Sequence, residues 1–254
     1  MKTPFTKKTR RGGFTLIELM VVIGILAALA SIGYGPIMEH MKDGDRQKAS
    51  TNVKSIFTLL QQFRMDHNSY PCDSTAESLL ENNTDCNFGD LTGSNSNAYF
   101  RQLFYLSGVE SEKPFFAKVE AGGLKVDNEP DNRIANGMAL RPGENAMSYV
   151  MSRDASDPSV KSAVKKTSAP LVMCSVYPSR NPYTGDKLTV DLSSFGTHFY
   201  VLTGDGSVSD RGKEVQPTAE NEDIGTLKKD STIFPETKRG RSTAQDYYVL
   251  TPEV

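Results

Sequence analysis

The hydrophobic residues of the chain are concentrated near its N-terminus. No charged side chain occurs over residues 19–38, whereas the chain beyond Glu39 is polar and rich in Gly, Pro, Ser, Asn and Asp. At about 1.5 Å per residue, a helix over residues 14–38 would be roughly 37 Å long, and a bilayer hydrocarbon core is about 30 Å thick. The pattern predicts a membrane-spanning or filament-core helix over residues 14–40 and a water-soluble head over residues 41–254.

A helical pattern of apolar residues continues into the head. The apolar positions recur at spacings of three and four and define one helix face: Ala49, Val53, Ile56, Phe57, Leu60 and Phe63. We therefore predict one long, interrupted helix from Phe14 to about His67. Because Pro36 lacks a backbone donor, we expect a kink or local melting near residues 33–36.

The rest of the head predicts a β-sheet. Runs rich in β-branched and aromatic residues predict five strands: Phe115–Val119, Leu171–Val176, Leu188–Val190, His198–Thr203 and Tyr247–Thr251. A second helix is predicted over Ala98–Leu106, and the turn-rich residues 82–97 and 122–145 are predicted to be loop insertions. The predicted fold class is α+β, with a long N-terminal helix packed on an antiparallel β-sheet.

The charges are distributed unevenly along the chain. Five cations and no acid occur in residues 1–13: Lys2, Lys7, Lys8, Arg10 and Arg11. This cluster before the apolar segment predicts a cytoplasmic N-terminus by the positive-inside rule. The remaining 24 basic and 31 acidic residues give a charge of −7. General nucleic-acid binding is not expected, because affinity for phosphates requires clustered cations.

Glu18 is an unexpected carboxylate inside the apolar segment. A charge in a membrane helix costs on the order of 3 kcal/mol at the centre and less near an end, so Glu18 is expected to have a partner. A secretory signal cleaved after Ala30 would fit the small residues Ala28 and Ala30, but Glu18 and the length of the apolar segment argue against it. An ordinary single-span anchor explains neither Glu18 nor the pair Gly12-Gly13.

The segment GFTLIELMVVIGILAALA, residues 13–30, resembles the class III signal of type IV pilins and type II secretion pseudopilins. The resemblance implies cleavage by prepilin peptidase between Gly13 and Phe14, N-methylation of Phe14, and removal of residues 1–13 as a basic leader. It also implies that Glu18 of one subunit pairs with the new N-terminal amine of its neighbour. Such a pair satisfies two otherwise costly charges at once, so Phe14 and Glu18 are the predicted assembly residues.

This resemblance implies a structural subunit of a type IV pilus or a type II secretion-like pseudopilus, and not an enzyme. Its partners would be prepilin peptidase, other pilin or pseudopilin subunits and the inner-membrane assembly platform. The expected location is the bacterial inner membrane, in a single pass with a cytoplasmic N-terminus and an exported head. After assembly, the subunit would lie in a periplasmic or cell-surface filament.

Two alternatives belong to other functional classes. One is a membrane-anchored surface protein whose head binds a host or matrix ligand without polymerising. The other is a secreted enzyme released by cleavage after Ala30. The sequence contains no H-E-x-x-H, no G-x-S-x-G and no phosphate-binding glycine loop, so no motif argues for catalysis.

Three cysteines raise the question of a disulfide. In an oxidising compartment, Cys72 and Cys86 could close a small loop, worth roughly 3 kcal/mol. Cys174 would then remain as a buried thiol. Both the bridged and the unbridged state stay open at this point.

No cofactor is expected, with one qualification for calcium. Major pseudopilins hold Ca²⁺ in a C-terminal loop, so the resemblance makes Asp205 and Asp210 candidate oxygen ligands within TGDGSVSDRG, residues 203–212. The sequence itself favours a plain Gly-Asp-Gly turn between two strands, which needs no ion.

Overall fold

The computed structural model describes the backbone of residues 14–81, 88–121, 124–126, 130–134, 138–153, 157, 159–234 and 243–253. The side chains of residues 32–38 are outside this description. The chain divides into two compact units, Met1–Asp43 and Gly44–Val254. The basic leader, Gly13 and Cys86 lie outside the described residues.

The helices begin and end at local signals. Those of the described residues are α1 (Leu16–His67), α2 (Asp73–Leu80), α3 (Phe88–Leu91) and α4 (Ser96–Leu106). Helix α1 ends before Asn68, whose positive φ of 53° is a conformation that commonly terminates helices. Helix α4 begins after Asn95, whose side chain accepts a hydrogen bond from the N–H of Ala98 at 3.0 Å.

The strands are short and come mainly from the second half of the chain. They are β1 (Val119–Ala121), β2 (Leu124–Val126), β3 (Ser148–Arg153), β4 (Lys161–Ser162), β5 (Pro170–Cys174), β6 (Tyr183–Thr184), β7 (Thr189–Asp191), β8 (Tyr200–Thr203), β9 (Val208–Asp210), β10 (Val215–Pro217), β11 (Ile224–Leu227) and β12 (Tyr247–Leu250).

Seven strands form one antiparallel sheet in the order β6-β12-β3-β5-β8-β9, with β4 pairing with β3. Strands β10, β11 and β7 form a second antiparallel sheet, and β1 pairs with β2. An antiparallel bridge between Val176 and Val190 connects the chain just after β5 with β7.

The part of α1 within the second unit buries the face that its apolar spacing predicts. Its fully buried positions are Ala49, Val53, Ile56, Leu60 and Phe63. They belong to one hydrophobic cluster with the residues of β3, β5 and β8. Strands β5 and β8 are buried at every position, so the sheet is covered on both faces at its centre.

The predicted α+β class, with a long N-terminal helix and an antiparallel sheet, is confirmed. The long helix, the second helix and four of the five strands lie within two residues of their predicted positions. Residues 82–97 and 122–145 are less irregular than predicted, since they contain α3 and β2.

The structure differs from two local predictions. Residues 33–36 lie within α1, so the helix does not melt there, whereas a kink at Pro36 stays a prediction. The predicted strand Phe115–Val119 begins instead as the 3₁₀ turn Lys113–Phe115, and only Val119 enters a strand. Pro114 explains this turn, because its ring fixes φ near −65°.

Within the described residues, no stretch of helix has both the length and the apolar character that crossing a bilayer requires. The membrane-spanning assignment of residues 14–40 therefore stays a prediction.

Gly206 marks the point where the β8–β9 turn meets helix α1. Its φ is +87°, and a Cβ at this position would lie 2.5 Å from Cε1 of Phe57. We expect Gly206→Ala to lower the free energy of unfolding by about 1–3 kcal/mol, through backbone strain and overpacking. Urea unfolding of the full chain in detergent, followed by circular dichroism, measures this loss.

Gly89→Ala is the matched control, because a Cβ at that position of α3 meets no atom within 4 Å. An equal loss of stability in the two variants would contradict the contact between Gly206 and Phe57.

Candidate assembly site at the N-terminus of helix α1

Thr15 and Glu18 close the first turn of α1 through reciprocal hydrogen bonds. Glu18 Oε2 accepts the backbone N–H of Thr15 at 2.8 Å and its hydroxyl at 2.9 Å, and Thr15 Oγ1 accepts the N–H of Glu18 at 3.3 Å. The carbonyl of Thr15 accepts the N–H of Leu19 at 3.3 Å. Thr15 is thus the N-cap residue and Glu18 the third helical residue, which is the arrangement of a capping box.

This arrangement gives the carboxylate of Glu18 a partner inside its own chain. The N-terminus of a helix carries a partial positive charge, so a carboxylate in the first turn is favoured there. In the described part of the chain, Oε2 of Glu18 receives hydrogen bonds and Oε1 receives none. One oxygen is therefore used for capping, and the other is open to a second donor.

Sequence reasoning predicted Glu18 as a functional residue but missed Thr15. The signal was present, because Thr followed three residues later by Glu before an apolar run is the sequence pattern of a capping box. The cap reduces the cost of the carboxylate before any neighbouring subunit is considered.

The apolar side chains around Glu18 are exposed within their own unit. Phe14 is 90% exposed and Leu16 is 76% exposed. Phe14, Ile17, Glu18, Val21 and Val22 line one surface depression. An apolar surface of this extent is typical of a site that contacts another protein or a membrane.

Residues 8–34 match the family model described as the prokaryotic N-terminal methylation motif. The match includes Gly13, Phe14, Thr15 and Glu18. The chain thus carries a prepilin-type N-terminal methylation motif.

Curated relatives are similar to only part of the chain. Type II secretion system core protein G of Pectobacterium carotovorum subsp. carotovorum is 43% identical over 70 residues, which are 28% of this chain and 44% of that protein. The core protein G of Aeromonas hydrophila is 37% identical over 76 residues, 30% of this chain and 53% of that protein.

A type IV pilin is also similar to only part of the chain. Type IV major pilin protein PilA of Myxococcus xanthus (strain DK1622) is 34% identical over 61 residues, 24% of this chain and 28% of PilA. The chain thus spans about half the length of the first curated relatives that it matches. No solved structure matches it.

The two described cysteines have different surroundings. Burial opposes ionisation of Cys72, but hydrogen bonds from Ser74, Thr75 and Ser69 outweigh it and lower the pKa of this thiol. Burial, followed by the nearby charge of Asp191, raises the pKa of Cys174. Cys72 therefore ionises more readily than Cys174, although both side chains are buried. Its pairing with Cys86 stays a prediction, since Cys86 lies outside the described residues.

Asp205 lies in the turn between β8 and β9, and Asp210 ends β9. Asp205 Oδ1 accepts the hydroxyl of Thr203 at 2.5 Å and the N–H of Ser207 at 2.9 Å, which lowers the pKa of Asp205. The structure does not bring Asp205 and Asp210 into a group of three or more ligands within the described residues. A calcium ion would compete with the hydroxyl of Thr203 and the N–H of Ser207 for the carboxylate of Asp205. Calcium binding stays a prediction.

A different group of carboxylates does converge in the described residues. Ligand oxygens of Glu112, Asp131 and Glu144 lie within 4.8 Å of one another. Glu112 accepts two backbone N–H groups at 2.8 and 2.7 Å, and the guanidinium of Arg141 contacts both Asp131 and Glu144. Burial, followed by the charges of Glu112 and Asp131, raises the pKa of Glu144. Because donors of the chain already meet these carboxylates, their evident role is to hold the loops that carry them.

Asp210 provides a test of the electrostatics of the β8–β9 hairpin. Its Oδ1 accepts the N–H groups of Phe199 and Gly212 at 3.1 and 3.0 Å, and its Oδ2 lies 2.5 Å from Nδ1 of His198. Burial opposes ionisation of Asp210, but these donors outweigh it and lower its pKa. The ionised carboxylate therefore stabilises the fold above the usual Asp pKa, and this stabilisation disappears as the pH falls through the lowered value.

We expect Asp210→Asn to reduce the free energy of unfolding at pH 7 by about 1 kcal/mol, a modest value because the side chain is partly exposed. The difference from wild type should shrink as the pH falls below about 4, the usual Asp pKa, and disappear once the pH has fallen through the lowered pKa of Asp210. Urea midpoints at pH 7 and below pH 4 measure both effects, with the exposed Asp230→Asn as control. A difference that grows on acidification would contradict the assignment.

Proposed function

We propose that the chain is a structural subunit of a type IV pilus or a type II secretion-like pseudopilus, and that it assembles through α1. The observation that carries this proposal is a capped carboxylate, Glu18, in an exposed apolar helix that directly follows a prepilin-type cleavage motif. The role is structural rather than catalytic.

The apolar surface of α1 alone would not select a filament over a bilayer. Lipid and a bundle of neighbouring helices both remove this surface from water, so the hydrophobic effect does not distinguish them strongly. The charge of Glu18 does distinguish them. In lipid the carboxylate has only its own helix cap, whereas in a filament the open Oε1 also meets the N-terminal amine of a neighbouring Phe14.

Processing supplies that amine. Prepilin peptidase would cut between Gly13 and Phe14, remove the basic leader and leave an N-methylated amine on Phe14. The uncut chain has a neutral amide at this position, so it cannot form the ion pair. Cleavage would thus make the subunit competent for assembly at the inner-membrane platform. Before assembly, the subunit would cross the inner membrane once, with an exported head.

The alternative is a membrane-anchored receptor whose head binds a ligand and does not polymerise. Such an anchor requires apolar side chains but has no use for a carboxylate at Glu18. The charge on this residue therefore separates the two functions experimentally.

Mass spectrometry of the mature protein tests the processing step. We expect an N-terminal peptide that begins at Phe14 and carries one added methyl group. Gly13→Ala should leave the uncut chain, because the resemblance assigns the cleavage position to this glycine. A mature N-terminus at Ser31 would instead indicate a secreted protein released after Ala30.

Variants at the cap separate the charge of Glu18 from its capping role. Gln can also close a capping box, so Glu18→Gln should keep the helix, as checked by circular dichroism, but leave the amine of the neighbour without a charged partner. Stranding a buried charge costs about 3–5 kcal/mol, so filament yield should fall at least about tenfold. Thr15→Ala removes a cap worth about 1 kcal/mol, so it should lower the yield but keep the filaments.

Filaments sheared from cells that produce the full chain, quantified by immunoblot, give the yields. Normal assembly of the Glu18→Gln variant would contradict the proposed ion pair. A wild-type chain that anchors and is processed, but never forms filaments, would favour the receptor.

A further inference from the structure

A pocket beside α1 combines two lysines with an apolar wall. Lys48, Asn52, Lys113, Phe116 and Pro130 line this lysine pocket, whose volume is about 480 Å³. Lys48 and Lys113 are exposed, and Nζ of Lys48 lies 5.0 Å from the centre of the Phe116 ring. Two ammonium groups beside an aromatic face, in a chain that is acidic beyond its leader, favour an anionic occupant with some apolar surface.

Asn52 fixes the shape of the lysine pocket. Its Nδ2 donates to the carbonyl oxygens of Lys113 and Phe116 at 3.1 and 2.6 Å. The 3₁₀ turn that carries Lys113 is thereby held against α1, which carries Lys48. The backbone positions of the two lysines are therefore set before any partner binds, which leaves only their side chains to be ordered on binding.

An acidic loop elsewhere on the head has the complementary charge. This loop, residues 218–223, connects β10 and β11 and carries Glu220, Glu222 and Asp223. All three side chains are exposed. Over the described ranges of the chain, no ion pair involves these acids or the two lysines of the pocket.

Hydrogen bonds within the acidic loop hold its backbone in one conformation. Thr218 Oγ1 donates to the carbonyl of Asn221 at 2.9 Å and accepts its N–H at 3.1 Å. The N–H of Asp223 donates to Oδ1 of Asn221 at 2.8 Å, and the N–H of Thr218 donates to the carbonyl of Ile224 at 2.8 Å. The loop is thus an ordered projection with three carboxylates.

The symmetry of a filament explains why one chain would carry both surfaces. Subunits of an open helical filament meet through heterologous contacts, in which two different patches of identical subunits face each other. We propose that the acidic loop of one copy docks in the lysine pocket of the next copy along the filament. The inference rests on the proposed function, and it assigns to the head a contact that is separate from the helix contact at Glu18.

Charge reversal on both sides provides the test, because a homopolymer carries each change in every subunit. The reversed pocket is Lys48→Glu with Lys113→Glu, and the reversed loop is Glu220→Lys with Glu222→Lys. The swapped variant combines all four changes. In the control, the reversed loop is combined with changes at two exposed lysines outside the pocket, Lys165→Glu and Lys166→Glu.

Filaments are sheared from cells that produce each full-length variant, and their yield is measured at low and high salt. We expect each single-sided reversal to lower the yield roughly three- to tenfold at low salt, because like charges then face each other across the contact. The swapped variant should recover most of the yield, whereas the control should not. Salt should reduce the differences, since the charges are exposed.

The other outcomes each overturn the inference. If the swapped variant is no better than the reversed loop, the two surfaces do not meet. If only the reversed pocket lowers the yield, the pocket holds a different anion. If wild type forms no filament, the proposed function fails first, as the Glu18→Gln series shows independently, and the docking contact fails with it.

Discussion

The buried face of α1 is the constraint on which the head depends. Its residues Ala49, Val53, Ile56, Leu60 and Phe63 have no exposed surface and share one cluster with the central strands. The same helix contains Glu18 in its first turn, which Thr15 caps. The packed face and the capped carboxylate therefore belong to one helical element. Two further side chains of α1 add contacts. Asn52 holds the lysine pocket, and Phe57, which is partly buried against the same cluster, meets the β8–β9 turn at Gly206.

The two carboxylate oxygens of Glu18 serve different purposes. Its cap with Thr15 makes the carboxylate tolerable at the start of an apolar helix, while its other oxygen has no donor in the described chain. If both oxygens accepted hydrogen bonds within the chain, a donor from a neighbouring subunit would add little stability. Without the cap, the carboxylate would destabilise the helix in every state. The capping box thus lowers the free-energy cost of the carboxylate and leaves one oxygen for a second partner.

The sequence predicted most of the architecture, because its signals are periodic and local. The spacing of apolar residues from Ala49 to Phe63 identified a helix face, and the run at residues 247–251 identified a strand. Local chemistry also caused the errors, since Pro114 converts the start of an apparent strand into a 3₁₀ turn. The convergence of Glu112, Asp131 and Glu144 was not predictable, because it depends on how distant loops pack. The lysine pocket was missed for the same reason, since its two lysines belong to elements about 65 positions apart.

The position of β12 has a consequence for synthesis. Strand β12 pairs with one edge of β3 over four of its six residues, from Tyr149 to Ser152, while β4 and β5 share the other edge. About 100 residues separate β3 from β12, and at about 5–20 residues per second a ribosome needs roughly 5–20 s to make them. During that interval an apolar strand has an unpaired edge, which is the kind of surface that joins strands of other molecules. A head that folded before β12 was available would therefore leave this edge of β3 open to pairing with strands of other chains.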